Sequence, residues 1–152
     1  METFYTAFAN LDAEAMVDCY HDTIIFEDPA FGVLKGEEAK NMWRMLCKTQ
    51  KGKNFKVIAS NFESTSQAGK ARWEAFYTFS KTGRKVHNVV NASFKIKNGK
   101  IISHVDSFNL YRWSKQALGF KGFLMGWTPF FKKQLNAQTT YLLREFQKKK
   151  NR

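Results

Sequence analysis

The stretch Tyr20-His21-Asp22-Thr23-Ile24-Ile25-Phe26-Glu27-Asp28-Pro29-Ala30-Phe31-Gly32-Val33-Leu34-Lys35-Gly36 changes character three times within a few residues. Thr23 to Phe26 is a β-branched and aromatic run of the length of a short strand. Pro29 and Gly32 turn it into a loop. Gly36 then opens a helix whose first turn carries Glu37 and Glu38, where the helix dipole favours acids. Along that helix Ala39, Met42, Trp43, Leu46 and Cys47 form an apolar stripe. Upstream, the pattern predicts helix over residues 3–20, bent near Asn10-Leu11-Asp12. Asp12 can cap a second set of turns carrying Ala15, Met16, Cys19 and Tyr20 on one face.

Downstream, Phe55 to Phe108 holds four long β-type runs broken by the turn signals Ala68-Gly69, Lys81-Thr82-Gly83 and Asn98-Gly99, which predicts an antiparallel meander. In the third run Val86, Val90, Ala92, Phe94 and Ile96 share one parity against mostly polar odd positions, so the even side chains face the helices. Asn88 is then the one polar side chain on an apolar inner face. In the fourth run Ile102, His104, Asp106 and Phe108 alternate with Ile101, Ser103, Val105 and Ser107, and pattern alone does not choose the face. From Leu110 the chain predicts one or two helices split by Gly119 to Pro129. With no repeat or linker, residues 1–152 read as a single α+β domain, a core over 3–112 and a helical extension over 113–152.

Fifteen Phe and 43% hydrophobic residues supply one ample core. No basic leader followed by an apolar run opens the sequence, and no run of transmembrane length occurs. Cys19 and Cys47 lie among helical apolar positions, where free thiols are common; a soluble, cytoplasmic protein is expected. The formal net charge of +12 is lopsided: residues 113–152 hold nine basic side chains against Glu145 alone. A solvated basic helix is the plain reading. Attachment to nucleic acid or an anionic membrane is the alternative, especially through Gly122-Phe123-Leu124-Met125-Gly126-Trp127 beside Phe130-Phe131-Lys132-Lys133.

The order of helix, short strand, Asp-Pro, Gly-opened helix and long meander resembles the nuclear transport factor two-like superfamily over about residues 3–112, with its SnoaL-like cyclases, ketosteroid isomerase and limonene epoxide hydrolase. The resemblance implies a cone-shaped, cystatin-like α+β roll, its curved sheet wrapped around the N-terminal helices and one apolar pocket. It implies a homodimer through the outer sheet face, where Val89 and Val105 stand among polar residues. The segment from Tyr20 to Gly36 resembles the isomerase segment bearing the catalytic base, which falls on Asp28; against the hydrolases a water-binding Asn falls there. Gly99 through Leu110 resembles the hydrolase strand whose Asp activates water. That carries over to Asp106 and turns His104, Asp106 and Phe108 inward.

Other parts of these patterns are missing. Phe4 stands where the isomerase has its oxyanion-hole Tyr, with Tyr5 one residue off, and the partner acid falls on Ala92 or Asn91. The hydrolase Arg-x-Asp corresponds either to Arg72-Trp73-Glu74 or to Trp73-Glu74-Ala75, and a slip of one reverses the faces.

Asp28, Asp106 and His104 are therefore the candidate catalytic residues, and Asn88, Trp73, Tyr77, Phe108 and Phe26 the candidate ligand contacts. Asp28 can equally be a turn-former before Pro29. His104 can pair with Asp106, pair with Asn88, or be an ordinary core histidine. No metal or cofactor ligand set is expected, since His21 and His87 fit no ligand spacing. Two functions follow: a pocket for a small, mostly apolar molecule, enzymatic in the isomerase, cyclase or epoxide-hydrolase sense with Asp28 and Asp106 in acid/base roles, or a non-catalytic ligand-binding or protein-interaction module. The segment from Leu110 to Gln147 is expected to cap the cone mouth through Trp127, Phe130, Phe131, Leu135, Tyr141, Leu142 and Phe146.

Overall fold

In the computed structural model, which describes residues 1–152, the bend at Asn10-Leu11-Asp12 separates α1 (Glu2–Ala9) from α2 (Ala13–Asp18). Asp12 caps α2 by accepting from the Ala15 amide, 3.1 Å. The strand after α2 is longer than its β-branched centre suggests. β1 (Tyr20–Asp28) starts at Tyr20, so Tyr20 belongs to a strand and not to the face of α2. A second strand, β2 (Gly32–Lys35), returns antiparallel to β1 where only a loop was expected.

Gly36 then leads into α3 (Glu37–Gln50) at φ 56°, with its amide 2.7 Å from the Ile24 carbonyl. Only glycine adopts that conformation readily. The predicted stripe of α3 is buried, apart from a half-buried Leu46.

The meander is β3 (Lys56–Ser64), β4 (Ala68–Phe79), β5 (Arg84–Lys97) and β6 (Lys100–Ser107). The first turn lies earlier than Ala68-Gly69: the Thr65 hydroxyl accepts from the Gln67 and Ala68 amides, and Gly69 sits inside β4. A Cβ at Gly69 would stand 2.3 Å from Met1 Sδ, so this glycine serves close packing of the N-terminus.

The six strands form one curved, unclosed sheet in the order β2-β1-β6-β5-β4-β3. It is not wholly antiparallel. β1 lies parallel to β6, because the chain leaves one sheet edge through α3 and returns from the other edge to close beside its first strand.

Parity explains the sheet's two faces. In β5 Val86, Val90, Ala92 and Phe94 are buried, with Asn91, Ser93 and Lys95 on the other side. In β4 the odd side chains Ala71, Trp73 and Ala75 face in, so Arg72 and Glu74 lie on the outer face and cannot supply a hydrolase-like pair to the interior. In β6 a bulge at Ile102, between the pairs Ile96–Ile101 and Lys95–Ser103, shifts the register. Ile101, His104 and Asp106 are therefore buried, whereas Ile102 is not fully covered.

The chain ends in α4 (Leu110–Leu118), α5 (Phe120–Met125) and α6 (Pro129–Lys150), three helices where one or two were expected, beginning at Leu110 as the pattern predicts. α6 does fold back. Leu143 is fully buried in the main core, with Phe131, Leu135 and Phe146 partly buried on the same stripe. Trp127, Phe130, Tyr141 and Leu142 are exposed, against expectation. Trp127 precedes the helix, and the other three lie off the stripe at 131, 135, 139, 143 and 146 that meets the core.

Cys47, fully buried, lies 3.6 Å from Met16 Sδ between α2 and α3, while Cys19 is half-exposed. No helix is long and apolar enough to cross a membrane.

Candidate functional site

The inside of the cone carries a continuous polar chain set in aromatic rings. The Trp43 indole N–H donates to Tyr20 Oη, 2.8 Å, and Tyr20 Oη lies 2.6 Å from His104 Nδ1. His104 Nε2 is 2.8 Å from Asp106 Oδ1, which also accepts from the Trp73 indole, 3.3 Å. An indole can only donate, so the Tyr20 hydroxyl accepts from Trp43; in the neutral-imidazole tautomer whose Nε2–H donates to the Asp106 carboxylate, the Tyr20 hydroxyl gives its own hydrogen to Nδ1. Phe4, Phe26, Trp43 and Phe94 enclose the His104 ring at centroid distances of 4.4–5.9 Å, and the imidazole has no exposed surface.

His104 is thus paired with Asp106 and not with Asn88, which stands half-buried on the inner parity of β5 opposite Ala75. Oδ1 of Asp106 takes both hydrogen bonds, and Oδ2 takes none.

Near Asp106 lies the one buried polar side-chain atom without a partner, the hydroxyl of Tyr5. Burial first, then the charges of Asp106 and Tyr20, raise the Tyr5 hydroxyl far above its ordinary value. Tyr20 is raised for the same first two reasons. Phe4 and Tyr5 are both buried, since α1 lies deep in the cone and presents two adjacent faces: Phe4 stacks on Tyr20, and Tyr5 packs against Phe62, Trp73 and Phe94. The residue one off from the expected oxyanion position is therefore the one that brings a hydroxyl inside.

Asp28 terminates β1 on the same parity as Tyr20, Ile24 and Phe26. Its Oδ1 accepts from the Phe31 amide at 2.6 Å and the Ala30 amide at 3.0 Å, so it does form the turn after Pro29. Burial pushes its carboxyl up to about 7 against the pull of these amides, and the charge of Asp106 adds to the rise. Helix α6 holds the same loop: Asn136 donates to the Pro29 carbonyl and Thr139 to the Ala30 carbonyl, both 2.9 Å.

Tyr77 and Phe108 each touch both apolar clusters, the main core and a smaller one of Val86, Trp113 and Ala117 beneath α4. Trp113 donates to the Tyr77 hydroxyl at 2.7 Å. The candidates Asp106, His104, Trp73 and Phe26 meet around the polar chain, and Asp28 joins them electrostatically. Asn88, Tyr77 and Phe108 are half-buried.

Instead of an open chamber, the cone centre holds Phe4, Tyr5, Phe8, Trp43 and Trp73. Two recesses lie elsewhere, about 460 Å³ between β2 and α6 and about 410 Å³ on the outer sheet face. Sequence reasoning missed Tyr20, Trp43 and Tyr5 as site residues. Starting the strand at Thr23 hid Tyr20, and the irregularity of β1 between Tyr20 and Ile25 breaks the alternation that would have tied it to Phe26.

This α+β roll is the fold of several solved proteins. The chain is similar to an LEH-like epoxide hydrolase of M. tuberculosis (21% identity, 82% of this chain and 86% of that one, TM-score 0.58). It is also similar to a Catenulispora acidiphila protein of ketosteroid isomerase-like fold, solved with trimethylamine (13%, 84% and 95%, TM-score 0.64). A third is a polyketide cyclase-like protein of Xanthomonas campestris pv. campestris (14%, 76% and 91%, TM-score 0.60). Residues 1–104 match the SnoaL-like domain, and the chain belongs to that family. No curated protein matches it.

Proposed function

We propose that the protein binds a small, largely apolar molecule at the junction of the two apolar clusters and moves protons on it. In this reading Asp28 is the acid/base and Asp106 the oriented partner. The observation that carries the reading is the unequal setting of the two carboxyls. Asp106 is fixed by two N–H donors, while Asp28 is half-buried in the loop held by α6 with its carboxyl at about 7, poised to hold or release a proton near neutrality. The unpartnered Tyr5 hydroxyl supplies a donor for an oxygen of the guest. Such a set suits enolisation of a carbonyl compound, or water attack on an epoxide with acid assistance. The fold neighbours include proteins named for an epoxide hydrolase and a polyketide cyclase.

A non-catalytic binding module is the second reading, favoured by the filled cone centre and by recesses that lie outside it.

Incubation with a panel of small cyclic epoxides and β,γ-unsaturated cyclic ketones separates the two. Turnover that falls at least about a hundredfold in both Asp28→Asn and Asp106→Asn, with the folds kept, is the expected result. Saturable binding without turnover, unchanged or tighter in Asp106→Asn, would leave the binding module.

A further inference from the structure

The edge formed by α5 and the start of α6 exposes apolar side chains that the fold had every opportunity to cover. Phe120 is 75% exposed and Trp127 68%, and Phe123, Leu124, Met125 and Phe130 are exposed beside them. This is not a frayed segment. Gly122 and Gly126, four residues apart, are buried against α4, where a Cβ would stand 2.0 Å from the Ser114 carbonyl oxygen and 1.8 Å from its Oγ respectively. With the two glycines turned inward by this close crossing, the larger side chains are obliged to face out.

Polar contacts lock the arrangement from within. Tyr111 donates to the Phe123 carbonyl at 2.9 Å and Trp127 to the Leu124 carbonyl at 3.0 Å. Thr128 donates to the Met125 carbonyl at 2.7 Å while capping α6. The outward apolar surface thus contains few polar groups needing water.

Charge surrounds it with one sign. Arg112, Lys115, Lys121, Lys132 and Lys133 are exposed around the edge, and none makes an ion pair. Arg84 of β5 reaches the same corner, donating to the Gln116 carbonyl beside Gly119. Between Asp106 and Glu145 the chain has no acid. Glu145 lies roughly 18 Å along α6 from Lys133 and is paired with Lys148.

We propose that this edge is an interfacial anchor that seats the protein on an anionic lipid bilayer: Phe120, Phe123, Leu124 and Trp127 enter the headgroup and acyl boundary while the lysines meet the lipid phosphates. Exposed aromatic and aliphatic residues ringed by Lys and Arg are the combination an anionic membrane interface takes up. A second copy fits poorly, because an isologous contact would set Lys121, Lys132 and Lys133 against their own counterparts. A nucleic acid would use the cations and stack on rings, yet leave Leu124 and Met125 without a role.

Flotation of the full chain with vesicles of phosphatidylglycerol and phosphatidylcholine, compared with phosphatidylcholine alone, tests this. Wild type floats with the anionic vesicles only, less so as salt is raised, and its tryptophan emission shifts to the blue. Trp43, Trp73 and Trp113 are already buried, so that shift reports Trp127. Phe123→Asp/Leu124→Asp abolishes flotation, and Lys132→Glu/Lys133→Glu weakens it by at least tenfold, each cation near the surface contributing about fivefold. Both variants alter exposed residues, so melting temperatures stay within a degree or two of wild type, which separates lost docking from lost fold.

Four results would overturn the proposal: no flotation at low salt; equal flotation with neutral vesicles; an oligonucleotide retained equally by wild type and Phe123→Asp/Leu124→Asp while vesicles are not; or a dimer in sedimentation velocity that Trp127→Ala dissolves.

Discussion

Two tyrosines inside the cone have opposite circumstances. The Tyr20 hydroxyl links the Trp43 indole to His104, whereas the Tyr5 hydroxyl has no partner. Tyr20→Phe strands two fully buried groups and is expected to cost about 1–3 kcal/mol in urea unfolding. Tyr5→Phe removes an unsatisfied hydroxyl and is expected to be neutral or to stabilise by up to about 1 kcal/mol. A loss with Tyr5→Phe as large as with Tyr20→Phe would mean that the Tyr5 hydroxyl is satisfied in solution. Asp28 gives a pH signature. Its folded carboxyl, at about 7, holds its proton more tightly than the unfolded chain does, so the folded state carries more protons between about pH 4 and 7. Its contribution to stability is complete below the unfolded value and is lost as pH rises to 7, on the order of 3 kcal/mol across the window. Asp28→Asn should flatten that decline; parallel pH profiles for the two proteins would exclude a buried, raised carboxyl.

Among the elements, the crossing of α4 and α5 makes a prediction that distinguishes side chain from backbone. Gly126→Ala meets the Ser114 Oγ first, then the Gly122 carbonyl oxygen and the Ser114 Cβ, whereas Gly122→Ala meets the Ser114 carbonyl group. Each should destabilise by about 1–3 kcal/mol in thermal unfolding. Ser114→Gly should recover part of the loss at Gly126 and none at Gly122; equal recovery would mean that the helices separate as rigid bodies. The same elements mark how far sequence reasoning reached. The inner parity of β5 and the stripe of α3 were legible because uninterrupted periodicity fixes a face. The parallel pairing of β1 with β6 was not, since it depends on where a distant strand returns, and the partner is not encoded in either strand's alternation. The bulge at Ile102 kept Asp106 and His104 inside while turning Ile101 in place of Ile102, a one-residue insertion that alternation cannot register. Asp28, His104 and Asp106 were singled out through the family resemblance, since pattern alone left Asp28 a turn-former and the face of the fourth run open, and the Tyr20 link depended on a strand beginning three residues earlier than its β-branched core. Trp127, Phe130, Tyr141 and Leu142 were expected to be buried, because a hydrophobic pattern states which side chains are alike and not what covers them.

For the whole molecule, the outer sheet face is the remaining large surface. It holds the recess lined by Asn61, Lys70, Arg72, Asn91, Ser93 and Ser107, with Val105 36% exposed beside it. We expect this face to pair with that of a second copy. Light scattering should then give about twice 17.7 kDa at micromolar concentration, and Val105→Lys should return the single-chain mass. A single-chain mass for wild type would remove the expectation. The two cysteines add an internal clock. Cys19, half-buried with its thiol donating to the Ala15 carbonyl, is the more accessible of the two, while Cys47, wedged against Met16 with its thiol pushed up to about 11, reacts only when α2 lifts from α3. The ratio of the two labelling rates therefore measures how often the helical layer breathes away from the sheet, without any foreign probe in the chain.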